Sequence, residues 1–483
     1  MSSHERKSCN SREPATEQGS LAESICRRRL LGAGMAISGA GVLGTLAAPA
    51  VVAAKTSTAP SPQSPQAGLA LFKQDDLNFE VSFAMGEAAY GAGEVGEVAT
   101  AINDIHAAGV SYQTFFDTFM ALGARLAGEA QAAEAAGHRQ TARARHLRSA
   151  SYYNQALFFV LGTRTPAAEE AVYRAMQEQW AAFAKLSGRT FERIEIPYRD
   201  GIAIPAYFMR PENDGQRRKT VIVNNGSDAQ FVDVYAYGAA AAIERGYNAL
   251  LFEGPGQGSL LFEKKICFTP DWAGVIAPLV DYLLGRSDVD PRRIALTGWS
   301  MGGNLVIRAA SQEHRLAAVV ADPGAVDLLA PYMEHGGDKI FGPDVPDRPA
   351  VWRAYRSSAD FTDAQKFLFA KRTEIFAPYL LEAARAGKVF SDIGSLVRAI
   401  SAFTISPEMA AGVRAHVLVT DYELDPFFAG QPERLMQLLT SAASKTLHRF
   451  TIAEGAEYHC APLAPQVRNE AVFDWLDAVL ETP

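Results

Sequence analysis

The chain has 483 residues, with 46 Lys and Arg, 54 Asp and Glu, and a formal net charge of −8. Its 48% hydrophobic and 21% charged residues are typical of a globular protein and exclude a wholly disordered one. The acidic balance argues against a nucleic acid or an anionic membrane surface as the main partner. The four cysteines, Cys9, Cys26, Cys267 and Cys460, include no CxxC pair, which excludes a disulfide scaffold and a thiolate zinc site. Spacing alone does not decide whether Cys267 and Cys460 form a disulfide.

Residues 1–54 have the pattern of an export signal. Arg27 and Arg28 precede residues 30–54, an apolar segment rich in Gly and Ala that carries no charge and ends in small residues. Adjacent arginines before two leucines resemble the twin-arginine signal, which predicts a periplasmic or secreted protein without stable membrane insertion after removal of the signal. The alternative is a retained membrane anchor. It is less favoured because Gly and Ala make the segment weakly hydrophobic and Pro49 would break its far end.

The export prediction depends on the paired arginines. We expect Arg27→Lys/Arg28→Lys to leave the precursor in the cytoplasm, because a twin-arginine signal is read by a receptor. Cell fractionation measures this, and N-terminal sequencing of the exported protein distinguishes cleavage after Ala50 from cleavage after Ala54. Unchanged accumulation of the double variant outside the cytoplasm would contradict the twin-arginine interpretation.

A linker and a helical region follow the predicted signal. Residues 55–68 contain three Pro and three Ser, which predicts an extended, mobile linker. Residues 71–186 are rich in Ala and have few β-branched runs, which predicts an N-terminal helical domain. Within them, Phe115, Phe119 and Leu122 have the i, i+4, i+7 spacing of an amphipathic helix.

After Gly188, short apolar strands alternate with helices. Strands are predicted at residues 191–196, 202–208, 220–223, 249–252, 293–297, 317–321, 416–420 and 450–452. This alternation predicts an α/β fold, with a mostly parallel sheet covered on both faces, formed by residues 190–326 and 406–483. The intervening residues 327–405 are too many for an ordinary connection and are predicted to form a helical cap insertion.

The sequence Gly298-Trp299-Ser300-Met301-Gly302 stands between a predicted strand and a predicted helix. In a G-x-S-x-G elbow, small residues permit a tight turn that exposes the serine hydroxyl, and the amide after the serine can bind an oxyanion. Ser300 is therefore the candidate nucleophile and the Met301 N–H a candidate oxyanion donor. An ordinary glycine turn is the alternative, and the strand–turn–helix context favours the elbow.

A serine hydroxyl needs a base, and that base needs an orienting acid. His459 lies between the last predicted strand and the last helix, which fits the chain order serine, acid, histidine. Asp425, fixed by Pro426 shortly after a predicted strand, is the preferred acid. Glu423 is the reserve, and Asp421 is better suited to a turn or cap.

A further loop, residues 224–228, follows a buried predicted strand. Its position matches the loop that supplies a second backbone N–H to an oxyanion hole, here from Gly226 or Ser227. An ordinary turn is the alternative. Residues 254–258 are rich in glycine but lack the Lys-Ser/Thr pair of a phosphate-binding loop, so we interpret them as a structural loop at the rim of the site.

These motifs occur together in one order: residues 220–228, 252–258, 271–272, 289–294 and the elbow. In this order they resemble the α/β-hydrolase group that contains 2,6-dihydroxypseudooxynicotine hydrolase, the fungal polyketide-shortening hydrolases and the fermentation–respiration switch protein. The resemblance extends over about residues 70–480. It implies hydrolysis of esters, or of carbon–carbon bonds next to carbonyls, without a metal or cofactor. The residues that it implies are the triad Ser300, Asp425 and His459, and the oxyanion donors Met301 with Gly226 or Ser227.

The resemblance also implies an N-terminal helical domain that covers the active site and often supports a homodimer. From the sequence we predict that residues 71–186 and 327–405 wall a mainly apolar pocket for a bulky or aromatic acyl compound. Phe341, Trp352, Phe367 and Phe369 are the predicted lining residues. The alternative is that these helices only cover the sheet or form a dimer surface.

Three function classes are compatible with these residues. A serine hydrolase acting on an ester or a carbon–carbon bond is favoured. A serine peptidase or amidase would use the same triad, and a non-catalytic binding protein would not need every triad member.

Overall fold

The computed structural model describes residues 69–330 and 349–481. The predicted export signal, the predicted linker and Phe341 lie outside these residues. Residues 71–186 are mainly helical, as the sequence predicts, and within the described residues five α-helices precede the sheet: α1 (Asp75–Gly86), α2 (Val95–Ala108), α3 (Tyr112–Ala135), α4 (Arg139–Phe159) and α5 (Glu169–Ser187).

Helix α3 shows why this region is helical. The Ser111 hydroxyl accepts a hydrogen bond from the Thr114 amide, and the Thr114 hydroxyl accepts one from the Ser111 amide. This capping box begins the helix. Phe115 and Phe119 are buried on one face with ring centroids 4.6 Å apart, and Leu122 is half-buried on the same face. The apolar spacing in the sequence is therefore the face that packs into the core.

Eight strands form one sheet in the order β1-β2-β4-β3-β5-β6-β7-β8. Strands β1 and β2 form an antiparallel hairpin, β2 also pairs antiparallel with β4, and the remaining pairs are parallel. The strands are β1 (Phe191–Pro197), β2 (Ala203–Met209), β3 (Arg218–Asn224), β4 (Asn248–Phe252), β5 (Val289–Trp299), β6 (Ala318–Asp322), β7 (His416–Tyr422) and β8 (Ser444–Phe450). The predicted mostly parallel sheet is confirmed.

The last strand lies earlier in the chain than the sequence predicts. The prediction places it at residues 450–452, but β8 ends at Phe450 and a 3₁₀ turn, Ile452–Glu454, follows. β8 is an edge strand whose residues are mostly exposed, so it lacks the apolar pattern that marks the interior strands.

Helices cover both faces between the strands. A first segment begins as α6 (Phe231–Val234), passes through a π-helical turn (Tyr235–Ala239) and continues as α7 (Ala240–Glu244). The other core helices are α8 (Gly258–Phe262), α9 (Ala273–Leu284) and α10 (Gly302–Ala310).

The described part of the insertion between β6 and β7 is helical. Its helices are α11 (Pro349–Arg356), α12 (Asp363–Thr373), α13 (Pro378–Arg385), α14 (Ile393–Ser401) and α15 (Pro407–Ala411). The sheet then resumes, followed by α16 (Gln431–Leu438) and α17 (Pro465–Glu481).

The N-terminal helices pack directly on the α/β core. The Trp180 ring of α5 is fully buried, with centroids 5.5 Å from Tyr207 on β2 and 5.8 Å from Phe231 on α6. Such aromatic contacts bury large apolar areas and fix the helices against the sheet. Within residues 69–330 and 349–481, no helix has the length and apolar character needed to cross a membrane. Cys267 and Cys460 are both free.

Candidate active site

Ser300 occupies a strained turn between β5 and α10. Its φ is 58°, in the left-handed region that non-glycine residues rarely adopt, and its amide donates to the Asp322 carbonyl oxygen over 2.7 Å. A side chain at Gly298 would overlap the carbonyl oxygen of Gly302, so the turn closes only with glycine there. The sequence pattern of an elbow therefore corresponds to an elbow in the structure.

The three residues predicted as a triad form one hydrogen-bonded chain. His459 Nε2 lies 2.9 Å from Ser300 Oγ, and Nδ1 lies 2.8 Å from Asp425 Oδ2. Because a carboxylate only accepts, this arrangement assigns the imidazole proton to Nδ1 and leaves Nε2 to accept from the serine hydroxyl. Asp425 is 7% exposed and His459 is 2% exposed, so bulk water is largely kept from both.

The loop after β7 determines which carboxylate reaches the histidine. Asp425 Oδ1 accepts from the amides of Phe427, at 2.7 Å, and Phe428, at 3.1 Å, which leaves Oδ2 for the imidazole. Glu423 Oε2 instead accepts from the Ile452 amide over 2.9 Å.

Asp421, the third carboxylate of this loop, lies on β7 itself and forms an ion pair with Arg449 at 3.3 Å. The structure thus brings Asp425 to His459 and gives the reserve acid Glu423 and Asp421 other partners.

Aromatic rings surround the imidazole. The ring centroids of Phe427, Phe428 and Phe79 lie 4.9, 5.7 and 6.3 Å from that of His459. The neighbouring Cys460 is buried, and burial raises the pKa of its thiol well above the ordinary value. Cys460 is therefore protonated at neutral pH and is not a competing nucleophile.

The loop that contains Gly226 and Ser227 packs against the elbow. A Cβ on Gly226 would lie 2.6 Å from the Trp299 carbonyl oxygen and 2.8 Å from Ser300 Cβ, so only glycine permits this approach. In the part of the chain that the structure describes, the amides of Gly226, Ser227 and Met301 have no hydrogen-bond acceptor. All three residues line the same cavity as Ser300. The two loops thus present free N–H donors beside the serine.

Gln257 holds this loop in place, a role that the sequence did not predict. Its Nε2 donates to the carbonyl oxygens of Asn225 and Gly226, both at 3.0 Å, and its Oε1 accepts from the Gly254 amide at 3.0 Å. The glycine-rich segment 254–258 therefore supports the loop that contains Gly226 and Ser227.

The insertion contacts the same loop. The Ser227 hydroxyl donates to Asp228 Oδ2 over 2.7 Å, and Asp228 forms an ion pair with Arg372 of α12. Arg372 of α12 thus contacts the loop that contains Gly226 and Ser227 through Asp228.

A second feature that sequence reasoning missed lies beneath the elbow. This feature is Asp322, whose backbone carbonyl accepts from the Ser300 amide and whose carboxylate is fully buried. Nε of Arg468, on α17, donates to Asp322 Oδ2 over 2.7 Å. Thr420 and Tyr422 each donate to its other oxygen over 2.5 Å. A buried charge is tolerated only with such full pairing, so this cluster fixes the end of β6 under Ser300.

The serine opens into a cavity of about 270 Å³. Its wall is formed by α1 and α4 of the N-terminal helices, by α12 of the insertion and by the loops at the carboxyl edge of the sheet. Aromatic rings predominate, among them those of Phe79, Phe83, Phe158, Phe367, Phe369 and Phe427. Both helical regions therefore wall the pocket, as the sequence predicts.

One predicted lining residue is not in the wall. Trp352 is fully buried and stacks on Phe390, with ring centroids 5.2 Å apart, so it belongs to the core of the insertion. Phe367 and Phe369 do line the cavity. Among the described residues, no group of three or more His, Cys, Asp or Glu side chains is arranged to hold a metal ion.

Residues 225–474 match the alpha/beta hydrolase family. The chain belongs to this family. It is 32% identical over 266 residues to alpha/beta hydrolase psoB of Aspergillus fumigatus, a match that covers 52% of this chain and 59% of the relative. It is also 30% identical over 270 residues to 20-hydroxy-prefusarin hydrolase FUS2 of Gibberella moniliformis, covering 54% and 63%. The chain thus spans about 60% of the length of these curated relatives.

Two solved structures share the fold over most of the chain. The structure of 2,6-dihydroxy-pseudo-oxynicotine hydrolase aligns with a TM-score of 0.58 at 20% identity, covering 82% of this chain and 95% of the other. Wild-type AbyA5 aligns with a TM-score of 0.54 at 17% identity, covering 84% and 95%. The α/β-hydrolase fold that the resemblance implied is therefore confirmed, including its N-terminal helical region.

Proposed function

We propose that this protein is a serine hydrolase that cleaves a carboxylic ester, or a carbon–carbon bond next to a carbonyl, through an acyl-enzyme. The observation that carries the proposal is the hydrogen-bonded chain from Asp425 through His459 to Ser300 at the wall of a mainly apolar cavity. Nucleophile, base and orienting acid stand at the distances that proton transfer requires.

Acylation follows from this arrangement. The Ser300 oxygen bonds to the substrate carbonyl carbon while His459 Nε2 takes the hydroxyl proton. The carbonyl electron pair moves onto its oxygen, and the amides of Met301 and of Gly226 or Ser227 bind that negative charge. Asp425 stabilises the imidazolium that forms.

The intermediate then collapses and expels the leaving group, which takes the proton from His459. In an ester the leaving atom is an alcohol oxygen. In a carbon–carbon cleavage it is an enolate carbon, whose charge is delocalised onto the adjacent carbonyl. Water, deprotonated by His459, hydrolyses the acyl group and restores the Ser300 hydroxyl, so that a carboxylic acid is released.

The cavity wall favours a bulky or aromatic acyl group. Its rings come from three separate parts of the chain, as with Phe83, Phe158 and Phe367, and they offer an apolar surface that a short polar acyl group would not fill. The names of relatives, such as 20-hydroxy-prefusarin hydrolase, agree with a sizeable organic substrate. That the protein forms a homodimer and that it is exported both stay predictions from the sequence.

A substrate panel with a covalent probe tests the proposal. We expect kcat/KM for aryl-chain p-nitrophenyl esters, or for aryl 1,3-diketones, to exceed that for p-nitrophenyl acetate by at least about tenfold, because one extra apolar group in a fitted pocket gives about 10- to 200-fold. Aminoacyl anilides test the amidase alternative, and a fluorophosphonate should abolish every activity. A folded protein that turns over none of these and resists the fluorophosphonate would exclude the proposal.

A further inference from the structure

Helix α1 of the N-terminal region crosses the catalytic site. The Phe79 ring lies 6.3 Å from the His459 ring, and the Phe83 ring lies 5.3 Å from that of Trp299, the residue before the nucleophile. Glu80 stands between these two phenylalanines on the same helix and lines the same cavity as Ser300. Other charged residues, among them Asp76, Asp228, Asp233, Lys371 and Arg372, line this cavity together with the aromatic rings.

The Glu80 side chain is buried and has no partner of its own. It is 7% exposed, yet within residues 69–330 and 349–481 its carboxyl has no hydrogen bond or ion pair. Two nearby cations interact electrostatically with Glu80, but each forms its ion pair with another acid. Lys371 pairs with Glu374 at 2.9 Å, and Arg372 pairs with Asp228. Buried polar groups are nearly always hydrogen-bonded, and the cavity that Glu80 lines is where a partner for this carboxyl would bind.

The other buried acids of this region each have at least one hydrogen-bond partner. Asp76, one turn earlier on α1, accepts from the Tyr112 hydroxyl over 2.5 Å. Asp233 accepts from the Asn154 amide at 2.8 and 2.9 Å. Glu87 accepts from the Ser151 hydroxyl through Oε2, while its Oε1 has no partner among the described residues. Glu80, which lines the cavity, differs from these acids because neither of its carboxyl oxygens has a partner there.

The charge state of Glu80 follows from its surroundings. Burial, aided by the negative charges of Asp233 and Asp228, raises the pKa of Glu80 well above its ordinary value, and Arg372 and Lys371 oppose this less strongly. This shift favours the protonated, uncharged form of the carboxyl. A neutral carboxyl offers one O–H donor and one carbonyl acceptor.

We propose that Glu80 is a substrate-recognition residue, whose carboxyl O–H donates a hydrogen bond to an uncharged oxygen on the acyl part of the substrate, other than the scissile carbonyl. The inference rests on the proposed function, because it assigns the acyl group to this cavity. It narrows the substrate class from bulky acyl compounds to those that carry a keto or ether oxygen at one position. The aromatic wall binds the hydrocarbon, and Glu80 selects the position of the oxygen.

Matched esters test this assignment. p-Nitrophenyl octanoate is compared with its oxo-octanoate analogues, in which the ketone occupies successive chain positions, and the ratio of kcat/KM for each oxo ester to that for octanoate is measured. In the wild-type protein we expect one position to be preferred. Glu80→Leu should lower that ratio about tenfold, because a binding site that loses one hydrogen bond loses about this factor in discrimination.

The conservative variant separates recognition from a structural role. Glu80→Gln keeps an uncharged donor and acceptor, so its ratio should stay within about threefold of wild type. Asp76→Asn controls for removal of a carboxyl from α1, and its ratio should not change because Tyr112 already engages that side chain. Circular dichroism and the unfolding temperature of each variant report folding.

The outcomes are distinct. If Glu80→Leu lowers turnover of oxo and plain esters equally, Glu80 only supports the fold and the assignment is wrong. If Glu80→Gln loses the ratio as fully as Glu80→Leu, or if wild type prefers amino esters, the carboxyl is an anion that binds a cation and the assignment is also wrong. If Ser300 proves unreactive, both the proposed function and the role of Glu80 are wrong. If turnover depends on Ser300 but Glu80→Leu leaves the ratio of kcat/KM unchanged, only the role assigned to Glu80 is wrong.

Discussion

Replacing Ser300 by alanine is expected to lower kcat for any substrate of the protein by about 10⁴- to 10⁶-fold, because losing the nucleophile removes the covalent path entirely. The substitution should leave the fold intact. The serine amide, not its hydroxyl, bonds to Asp322 beneath the elbow, and alanine keeps that amide. Steady-state kinetics on the best ester of the panel, with an unfolding curve for each protein, measures both expectations.

Ser227→Ala is the matched control. It removes a serine hydroxyl from the same cavity but keeps the backbone N–H that we assign to the oxyanion hole, so kcat should fall less than about tenfold. Mass spectrometry after fluorophosphonate treatment should place the label on Ser300. A label on Ser227 or Cys460, or an active Ser300→Ala protein, would show that the nucleophile lies elsewhere.

The sequence could predict features that are local in the chain. The elbow around Ser300 is such a feature, because the spacing of Gly298 and Gly302 is dictated by one tight turn. Parallel strands such as β3 can also be predicted from the sequence, because a strand that is buried on both faces needs a continuous run of apolar residues. Chain order then places His459 near the same sheet edge without knowledge of any contact.

Other features depend on residues far apart in the chain. Gln257 supports the loop that contains Gly226, and Arg468 pairs with Asp322, through contacts that no local sequence pattern predicts. Periodicity also does not tell which buried aromatic faces a cavity. Trp352 and Phe367 are both buried aromatic residues of the insertion, yet Trp352 lies in the core of the insertion and Phe367 in the cavity wall.

Glu80 illustrates the same limit. On a helix a single acidic residue near two phenylalanines usually faces solvent. Only the packing of α1 against His459 and Trp299 buries this carboxyl beside the cavity.

The acid of the triad is the residue that sequence left most open, and its test has the second largest expected effect. Asp425→Asn should lower kcat about 10⁴-fold with little change in unfolding temperature. The asparagine keeps an oxygen for the amides of Phe427 and Phe428, but its NH₂ would face His459 Nδ1 and favour the tautomer whose Nε2 already carries a proton. That tautomer cannot accept the Ser300 proton. Kinetics and thermal unfolding of the pure variant measure the two effects.

Glu423→Gln is the control from the same loop. Glu423 is exposed and its side chain accepts from the Ile452 amide, a contact that glutamine can keep, so kcat should stay within about threefold of wild type. The two variants share a loop, a change in charge and a change of one atom, but of the two carboxylates only that of Asp425 contacts the imidazole. A crippled Glu423→Gln beside an active Asp425→Asn would transfer the role of acid to Glu423. Equal, small losses in both would show that His459 needs no carboxylate to act as the base.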